Sequence, residues 1–286
     1  MLVVIGDLVE DVVAWRGAGA TGRLEVGTDN AARITRSRGG SGANVAAAAA
    51  RRMPTRFIGR VGADALGEEL TRALAAADVD VRAQREGVTG TIVVLVDGDG
   101  ERTFVTDRGA AAELGPIDPA WLAGADALHL PLYGLVEPGS RAACLAAAAL
   151  VREAGGFVSV DLSSTAAIRD IGATTLHELL RELRAAVVLA NAAEAGAAAL
   201  DAFPAAPDVA LVIKRGAEPV QLRVGGRLAS VPVPRIDAVR DTTGAGDAFA
   251  AGYLAARIAG HDHEACAAEG IALASRALRL PGAALG

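Results

Sequence analysis

Short runs of β-branched residues alternate with alanine- and leucine-rich stretches along most of the chain. This alternation is typical of βαβ units, which build a parallel sheet with helices packed on it. The pattern predicts strands over residues 2–6, 56–59, 127–130, 157–161, 187–190 and 210–214. It predicts helices over residues 43–53, 66–77, 139–154, 175–184, 244–258 and 263–278. We therefore predict an α/β fold with a mostly parallel, doubly wound sheet.

Two stretches break this rhythm. Residues 12–36 carry glycine, threonine and alternating apolar residues without a helical pattern, and residues 79–107 read as strands with a turn near residues 97–100. No low-complexity linker separates either stretch from its surroundings. We expect one domain over residues 1–286, with these insertions forming a small β-sheet lid. The alternative is an ordinary β-hairpin packed on the core.

Composition excludes several classes of function. The chain has a net charge of −6, a pI near 5.3 and no run of basic residues, so it lacks the cationic surface that a nucleic-acid partner requires. Neither a leader-like start nor an uncharged apolar run long enough for a membrane span is present in the sequence. The two cysteines form no metal-binding pattern. We expect a cytoplasmic protein that binds a small molecule, without a nucleic-acid or membrane partner.

The strongest local signal is Asp241-Thr-Thr-Gly-Ala-Gly-Asp247, followed by a predicted helix. Gly244 and Gly246 allow a tight turn whose backbone N–H groups, with the start of the helix, form an anion site. Asp247 in the first helical turn can accept a proton from a hydroxyl group held there. The same residues also suit a plain helix cap, in which Asp247 is favoured by the helix dipole.

A second glycine cluster precedes the helix predicted at residues 43–53. Gly39, Gly40 and Gly42 permit close approach of a ligand to the main chain, and Asn44 offers a donor and an acceptor. Asp11 follows the first strand, at the end of a parallel sheet where ligands bind. Plain turn chemistry and a solvated loop carboxylate are the alternative interpretations.

Other nucleotide and hydrolase motifs do not match. Lys214 is the only lysine, and Ile213 precedes it, so no Walker-type loop can be formed. The first strand is not followed by the glycine fingerprint of nicotinamide-dependent enzymes, and no G-x-S-x-G elbow occurs.

Taken together and in this order, these segments resemble the ribokinase-like (PfkB-type) carbohydrate and nucleoside kinases over essentially the whole chain. Residues 59–67 resemble the N-terminal signature of that family, and residues 241–247 resemble its C-terminal signature. Asn191 and Glu194 match its N-x-x-E motif. The resemblance implies an ATP-dependent kinase that phosphorylates a hydroxyl of a small sugar or sugar acid.

The resemblance also implies a role for each matching residue. Asp247 would activate the acceptor hydroxyl, with an anion hole formed by Gly244, Ala245 and Gly246. The sugar would be held by Asp11, Gly39, Gly40 and Asn44. ATP and Mg²⁺ would be bound by Asn191, Glu194, Lys214, Gly216 and Thr243, with Glu194 as a metal ligand. As in some members, Asp241 would order a loop that binds a monovalent cation such as K⁺, and a homodimer would form through the lid strands.

Three departures from the family pattern concern specificity. Tyr133 stands where ribokinases place a substrate-contacting glutamate, and Ile271 stands where many members carry an asparagine near the adenine. Lys214 and Arg215 replace the commoner Thr-Leu. A nucleoside kinase of the same fold is the first alternative, although Trp15 and Phe104 are the only aromatic residues in the predicted lid. A non-catalytic ligand sensor is the second alternative.

Overall fold

The computed structural model describes residues 1–17, 24–98, 101–237, 239 and 241–279. The strands in this part are β1 (Leu2–Ile5), β2 (Val9–Trp15), β3 (Arg33–Gly39), β4 (Thr55–Val61), β5 (Asp80–Arg85), β6 (Thr89–Val96), β7 (Arg102–Gly109), β8 (Ala127–Pro131), β9 (Phe157–Asp161), β10 (Ala185–Asn191), β11 (Ala210–Arg215), β12 (Glu218–Val224) and β13 (Arg227–Val231). The helices are α1 (Ser41–Ala50), α2 (Ala65–Ala75), α3 (Pro138–Glu153), α4 (Thr165–Ile171), α5 (Ala173–Glu182), α6 (Ala192–Ala197), α7 (Ala245–Ile258) and α8 (His263–Ala277).

Within the described residues, the larger sheet has nine strands in the order β13-β12-β11-β10-β9-β8-β1-β4-β5. Its seven strands from β11 to β5 are parallel, and β12 and β13 form an antiparallel hairpin at one edge. All six strands predicted from the sequence lie in this sheet, so the predicted mostly parallel α/β fold is confirmed. The carboxyl ends of the parallel strands lie along one edge, where the fold class places ligands.

Successive residues of the central strands point to opposite faces of the sheet, and each face carries its own core. Val4 belongs to the core under α1, α7 and α8, and Val3 belongs to the core on the other face. Helices α7 and α8 approach closely, because a Cβ at Gly252 would lie 2.6 Å from the Glu269 carbonyl oxygen. This close approach packs the middle of α7 against α8 on one face of the sheet.

The smaller sheet has the order β3-β2-β6-β7, with β2 and β6 parallel and the other pairs antiparallel. Its strands fall within or beside both predicted insertions, but the predicted extent was wrong at residues 80–85. Those residues form β5, which pairs with β4 at the edge of the large sheet. An edge strand and a lid strand share the same alternating pattern, so the sequence alone did not separate them. Residues 18–23 and 99–100 of the predicted insertions lie outside the described residues.

Candidate active site

A cavity of about 1090 Å³ opens at the carboxyl ends of β9, β10 and β11 and at the start of α7. Most of the residues predicted from the C-terminal half of the chain line it, namely Asn191, Glu194, Lys214, Gly216, Thr243, Gly244, Ala245, Gly246 and Asp247. The fold therefore brings together residues from three separate parts of the sequence. Ser41, at the start of α1, connects this cavity to the first glycine cluster.

Asp247 lies in the first turn of α7, which begins after Gly244 in a left-handed conformation (φ 72°). One carboxylate oxygen accepts a hydrogen bond of 2.7 Å from the Ser41 hydroxyl, and the other accepts one of 3.1 Å from the Asn44 amide. Burial raises the pKa of Asp247 to about 6, against an ordinary value of 3.8, although both hydrogen bonds act in the opposite direction. The carboxyl group is thus ionised at neutral pH and basic enough to take a proton.

The first glycine cluster packs tightly against the Asp11 carboxylate and the Asp7 main chain. A Cβ at Gly39 would overlap the Asp11 carboxylate, and a Cβ at Gly40 (φ 97°) would overlap the Asp7 carbonyl oxygen. Burial, together with the neighbouring charge of Asp7, raises the pKa of Asp11 to about 6. The structure therefore places Asp11, Gly39 and Gly40 together, next to the α1 start that carries Asn44.

Arg38 connects this cluster to Asp247. Its guanidinium donates a hydrogen bond of 3.1 Å to the side-chain oxygen Oδ1 of Asn44, while the side-chain nitrogen Nδ2 of Asn44 donates to Asp247. Burial lowers the pKa of Arg38, although the charges of Asp247 and Asp11 act in the opposite direction. Hydrogen bonds to both the oxygen and the nitrogen of its amide group therefore orient the Asn44 side chain.

Asn191 and Glu194 form a capping box at the start of α6. The Asn191 side chain accepts from the Glu194 backbone N–H at 2.9 Å, and the Glu194 carboxylate accepts from the Asn191 backbone and amide groups at 2.7 Å each. The N-x-x-E spacing therefore has a local structural role as well as its position in the cavity. Burial raises the pKa of Glu194, and the nearby Asp161 carboxylate adds to this effect.

Asp161 is a buried site residue that the sequence analysis missed. It is the last residue of β9, and its carboxylate accepts a hydrogen bond of 2.7 Å from Lys214 Nζ. Lys214 lies near the end of β11, which is separated from β9 by β10. Burial alone would lower the pKa of Lys214, but the carboxylates of Asp161 and Glu194 raise it overall. The rule that ligands bind at the carboxyl ends of parallel strands could have found Asp161. Asp11, which the sequence analysis expected at such an end, lies instead within β2 of the smaller sheet.

Asp241 and Thr243 contact the smaller sheet. Arg102, at the start of β7, forms an ion pair with the buried Asp241 carboxylate and donates a hydrogen bond to the Thr243 hydroxyl. The Thr243 backbone N–H donates to the same carboxylate at 2.8 Å. The glycine loop is thus connected to a residue of the small sheet that the sequence analysis did not single out.

Tyr133 lines the cavity and contacts Arg108. The Arg108 guanidinium lies 3.6 Å from the centre of the Tyr133 ring and forms an ion pair of 2.7 Å with Asp7. The polar end that a glutamate would provide at this position is therefore replaced by an aromatic ring stacked on a cation.

The described residues contain neither a metal-binding cluster nor a membrane-spanning helix. No cluster of three or more histidine, cysteine, aspartate or glutamate side chains there could hold a metal ion by itself. None of the helices in that part of the chain is both long and apolar enough to cross a membrane.

Comparison with known proteins decides the family. The model of the pfkB family carbohydrate kinases matches residues 1–286. The chain belongs to the PfkB carbohydrate kinase family. It is 33% identical to a fructokinase of Klebsiella pneumoniae, over 95% of this chain and 89% of that protein. It is 36% identical to an ATP-dependent ribose-1-phosphate kinase of Halopiger xanaduensis, over 80% of this chain and 76% of that protein.

Solved structures agree with this membership. The adenosine kinase of Sinorhizobium meliloti superposes with a TM-score of 0.86 at 25% identity, covering 100% of this chain and 96% of that one. The predicted resemblance and the ribokinase-like fold are therefore confirmed. As a PfkB carbohydrate kinase, the protein is an ATP-dependent phosphotransferase that acts on a hydroxyl group of a sugar or nucleoside.

Proposed function

We propose that this PfkB kinase transfers the γ-phosphoryl group of ATP to a hydroxyl of a small sugar or sugar acid, with Asp247 as the catalytic base. One observation carries the proposal: the Asp247 carboxylate lies at the glycine-lined start of α7, beside a large cavity, with a pKa raised to about 6. A capped surface helix would not require burial of this carboxylate or its bonds to Ser41 and Asn44.

In the proposed reaction, the acceptor hydroxyl gives its proton to Asp247 as its oxygen bonds to the γ-phosphorus. The bond between that phosphorus and the β–γ bridging oxygen breaks, and ADP leaves. The anion hole consists of Gly244, Ala245 and Gly246, whose backbone at the helix start is suited to the charge that develops on the phosphoryl oxygens.

The acceptor lies, in this proposal, between the first glycine cluster and Asp247. Asp11 and Asn44 are positioned to bond its hydroxyl groups, and the lack of side chains at Gly39 and Gly40 leaves the space that the Asp11 carboxylate and the Asp7 main chain occupy. Both arginines in this region already have polar partners, since Arg38 bonds Asn44 and Arg108 pairs with Asp7. We therefore place neutral sugars ahead of sugar acids as acceptors.

The nucleotide occupies the rest of the cavity in our proposal. Asn191, Glu194, Lys214, Gly216 and Thr243 surround the space for the phosphates. An apolar part of the lining, which includes Val220, Phe249 and Ile271, is suited to the adenine ring. The chain shows no complete metal cage in its described part, but Mg²⁺ commonly binds through one or two carboxylates, water and substrate phosphates. The Glu194 carboxylate at the cavity fits that role, and the ion would neutralise phosphate charge during transfer.

Potassium does not fit the arrangement of Asp241. Its carboxylate is buried and paired with the Arg102 guanidinium, which already supplies a positive charge. We therefore leave a monovalent cation out of the proposed function.

A nucleoside acceptor is a second candidate, favoured by one feature of the lid. Phe104, which is 60% exposed, lines the cavity and offers a surface on which a base can stack.

A screen for ADP release tests both candidates. The purified protein is incubated with ATP and Mg²⁺ together with fructose, ribose, 2-keto-3-deoxygluconate or adenosine, and the Asp247→Asn variant provides the background. We expect the wild type to release ADP in the presence of a sugar, at a rate ~10²–10⁴-fold above that of the variant. Release with adenosine alone would select the nucleoside candidate, and release with no acceptor in a broad sugar and nucleoside panel would contradict the proposal.

We also propose that the chain works as one domain whose small sheet is a lid and joins two copies in a homodimer. The register of β2, β3, β6 and β7 places Ile34 and Val105 on the face opposite Phe104. These two apolar side chains are 62% and 59% exposed, and such a surface invites burial against a second copy. Light scattering should give a dimer mass for the wild type and a monomer mass for Val105→Asp. A monomer mass for the wild type at micromolar concentration would contradict this part of the proposal.

A further inference from the structure

Lys214 occupies an unusual position for the only lysine of the chain. Its side chain, which is 16% exposed, ends 2.7 Å from the Asp161 carboxylate. Its ammonium nitrogen also lies 3.5 Å from the place that a Cβ at Gly246 would occupy. The ammonium group is therefore directly beside the glycine loop that forms the proposed anion hole.

The charges around Lys214 distinguish it from an ordinary structural ion pair. Besides Asp161, the carboxylates of Glu194 and Asp247 act on the ammonium group. All four side chains line the same cavity. Three carboxylates at a triphosphate site would repel the nucleotide, and the one ammonium group among them offsets part of that repulsion. A lysine that served only to join β9 to β11 would not need to reach the glycine loop.

We propose that the Lys214 ammonium group is a catalytic cation that donates a hydrogen bond to the transferred phosphoryl group, and that Asp161 is the positioning residue that holds it beside the glycine loop. This inference rests on the proposed function. Lys214 keeps its proton throughout, because the proton of the acceptor hydroxyl goes to Asp247. When ATP binds, a phosphoryl oxygen takes one of the three N–H donors of the ammonium group while Asp161 retains another.

The proposal predicts that loss of Lys214 lowers kcat and leaves the affinity for ADP nearly unchanged. The charge on the phosphoryl oxygens is redistributed during transfer, so a fixed ammonium group at the loop contributes most in the transition state. Removal of one such donor typically lowers kcat by ~10²–10³-fold. ADP lacks the transferred group, so its affinity should depend little on Lys214.

Kinetic comparison of variants tests the catalytic role, with acceptor and ATP both varied. We expect Lys214→Met to lower kcat by ~10²-fold or more and Lys214→Arg to restore at least ~10-fold of that loss. Asp161→Asn should lower kcat by ~10-fold while the KM of the acceptor stays within ~2-fold, because the ammonium group is then less well placed. Asp161→Glu should recover part of the rate, which a merely structural carboxylate near the sheet edge would not explain.

The matched control is Arg56→Met. Arg56 forms an ion pair of 2.7 Å with Asp80 and is also largely buried, but it lies near the start of β4, at the opposite edge of the sheet. Both charge removals should lower the melting temperature, whereas only Lys214→Met should lower kcat. A Lys214→Met enzyme that folds and retains more than a third of wild-type kcat would overturn the proposal. If that variant does not fold, Lys214→Gln serves for the same comparison.

Calorimetry with nucleotides separates this proposal from the proposed function. The non-hydrolysable ATP analogue AMP-PNP and ADP are titrated, each with Mg²⁺, into wild-type protein and Lys214→Met. We expect the variant to bind AMP-PNP ~10-fold more weakly and ADP within ~2-fold of wild type, as for loss of a charge-assisted hydrogen bond to the γ-phosphoryl group alone. Equal losses for the two nucleotides would overturn the role of Lys214 even if the kinase activity is confirmed. If no acceptor is phosphorylated, the proposed function fails, and this binding comparison still decides whether Lys214 contacts the γ-phosphoryl group.

Discussion

Replacing Asp247 by asparagine should remove activity and, at neutral pH, stabilise the fold. Asparagine keeps the shape of the side chain but cannot accept the acceptor proton, so kcat should fall by ~10²–10⁴-fold. The gain in stability follows from the raised pKa of Asp247, about 6 against an ordinary 3.8. The ionised carboxylate is held at a cost in the folded protein, and a neutral amide avoids that cost.

The size of the gain can be worked from the pKa shift. A shift of roughly two units corresponds to a penalty of about 3 kcal/mol at pH 7, at 1.36 kcal/mol per unit. Asp247 is only partly buried by surface area, so solvent reduces this penalty. In the variant, the new amide group also faces the Asn44 side-chain nitrogen, which donates a hydrogen bond to the carboxylate in the wild type. We therefore expect Asp247→Asn to raise the free energy of unfolding by about 1–2 kcal/mol, or the melting temperature by roughly 2–4 °C.

The sign of the effect predicts its pH dependence. Because the folded-state pKa lies above the unfolded value, the folded protein binds the proton more tightly, and the penalty is complete only above pH about 6. Below pH about 3.8 the carboxyl group is protonated in both states, so the stability difference between wild type and variant should disappear.

Thermal unfolding of both proteins between pH 3 and pH 8, with kcat measured on the samples above pH 5, is the assay. Glu264→Gln is the matched control, because Glu264 is also an acidic residue in the first turn of a helix, α8, outside the cavity lining. It should change neither kcat nor, by more than ~0.5 kcal/mol, stability. An Asp247→Asn variant that is less stable than wild type at pH 7 would refute the argument from burial. One that retains a tenth of the activity would refute the role as base.

Three further outcomes follow from the site. The value of kcat/KM should fall as pH drops below about 6, because Asp247 and Asp11 both become protonated there, and log kcat/KM plotted against pH should have a slope between one and two. A flat profile from pH 5 to pH 8 would exclude both residues as required carboxylates. Gly39→Ala should raise the acceptor KM by ~10-fold or more with little change in ATP affinity, because the new Cβ displaces the Asp11 carboxylate. The control Gly139→Ala places its Cβ in open space and should leave both constants unchanged, as measured by steady-state kinetics of the two variants. Turnover should stop in excess EDTA and return with added Mg²⁺, and full activity in the chelator would contradict the proposed use of the metal.

The sequence alone was enough to predict the features that depend on interactions within one strand, one helix or one turn. Alternating strand-like and helix-like runs predicted the parallel strands of the large sheet, because each pattern reflects burial on one or both faces of a single element. Glycines at residues 244 and 246 predicted the turn into α7 and the location of Asp247, since only a few residue types allow such a turn. The N-x-x-E spacing likewise lies within one helical turn, where Asn191 and Glu194 cap α6.

Contacts between distant parts of the chain were decided only by the tertiary structure. Ser41 and Asp247 are separated by 206 positions, and Asp161 and Lys214 by 53, so no local pattern relates the members of either pair. The pairing of β5 with the large sheet was also decided by its neighbours, because its alternation of side chains suits either sheet. Sequence periodicity specifies which face of a strand or helix is buried. Which other strand or helix packs on that face depends on how the buried faces of all the elements are covered together in the folded chain. For this reason the proposed base was predicted from its own segment, while its contacts with Ser41 and Asn44 and the ion pair beside the glycine loop were found only in the folded chain.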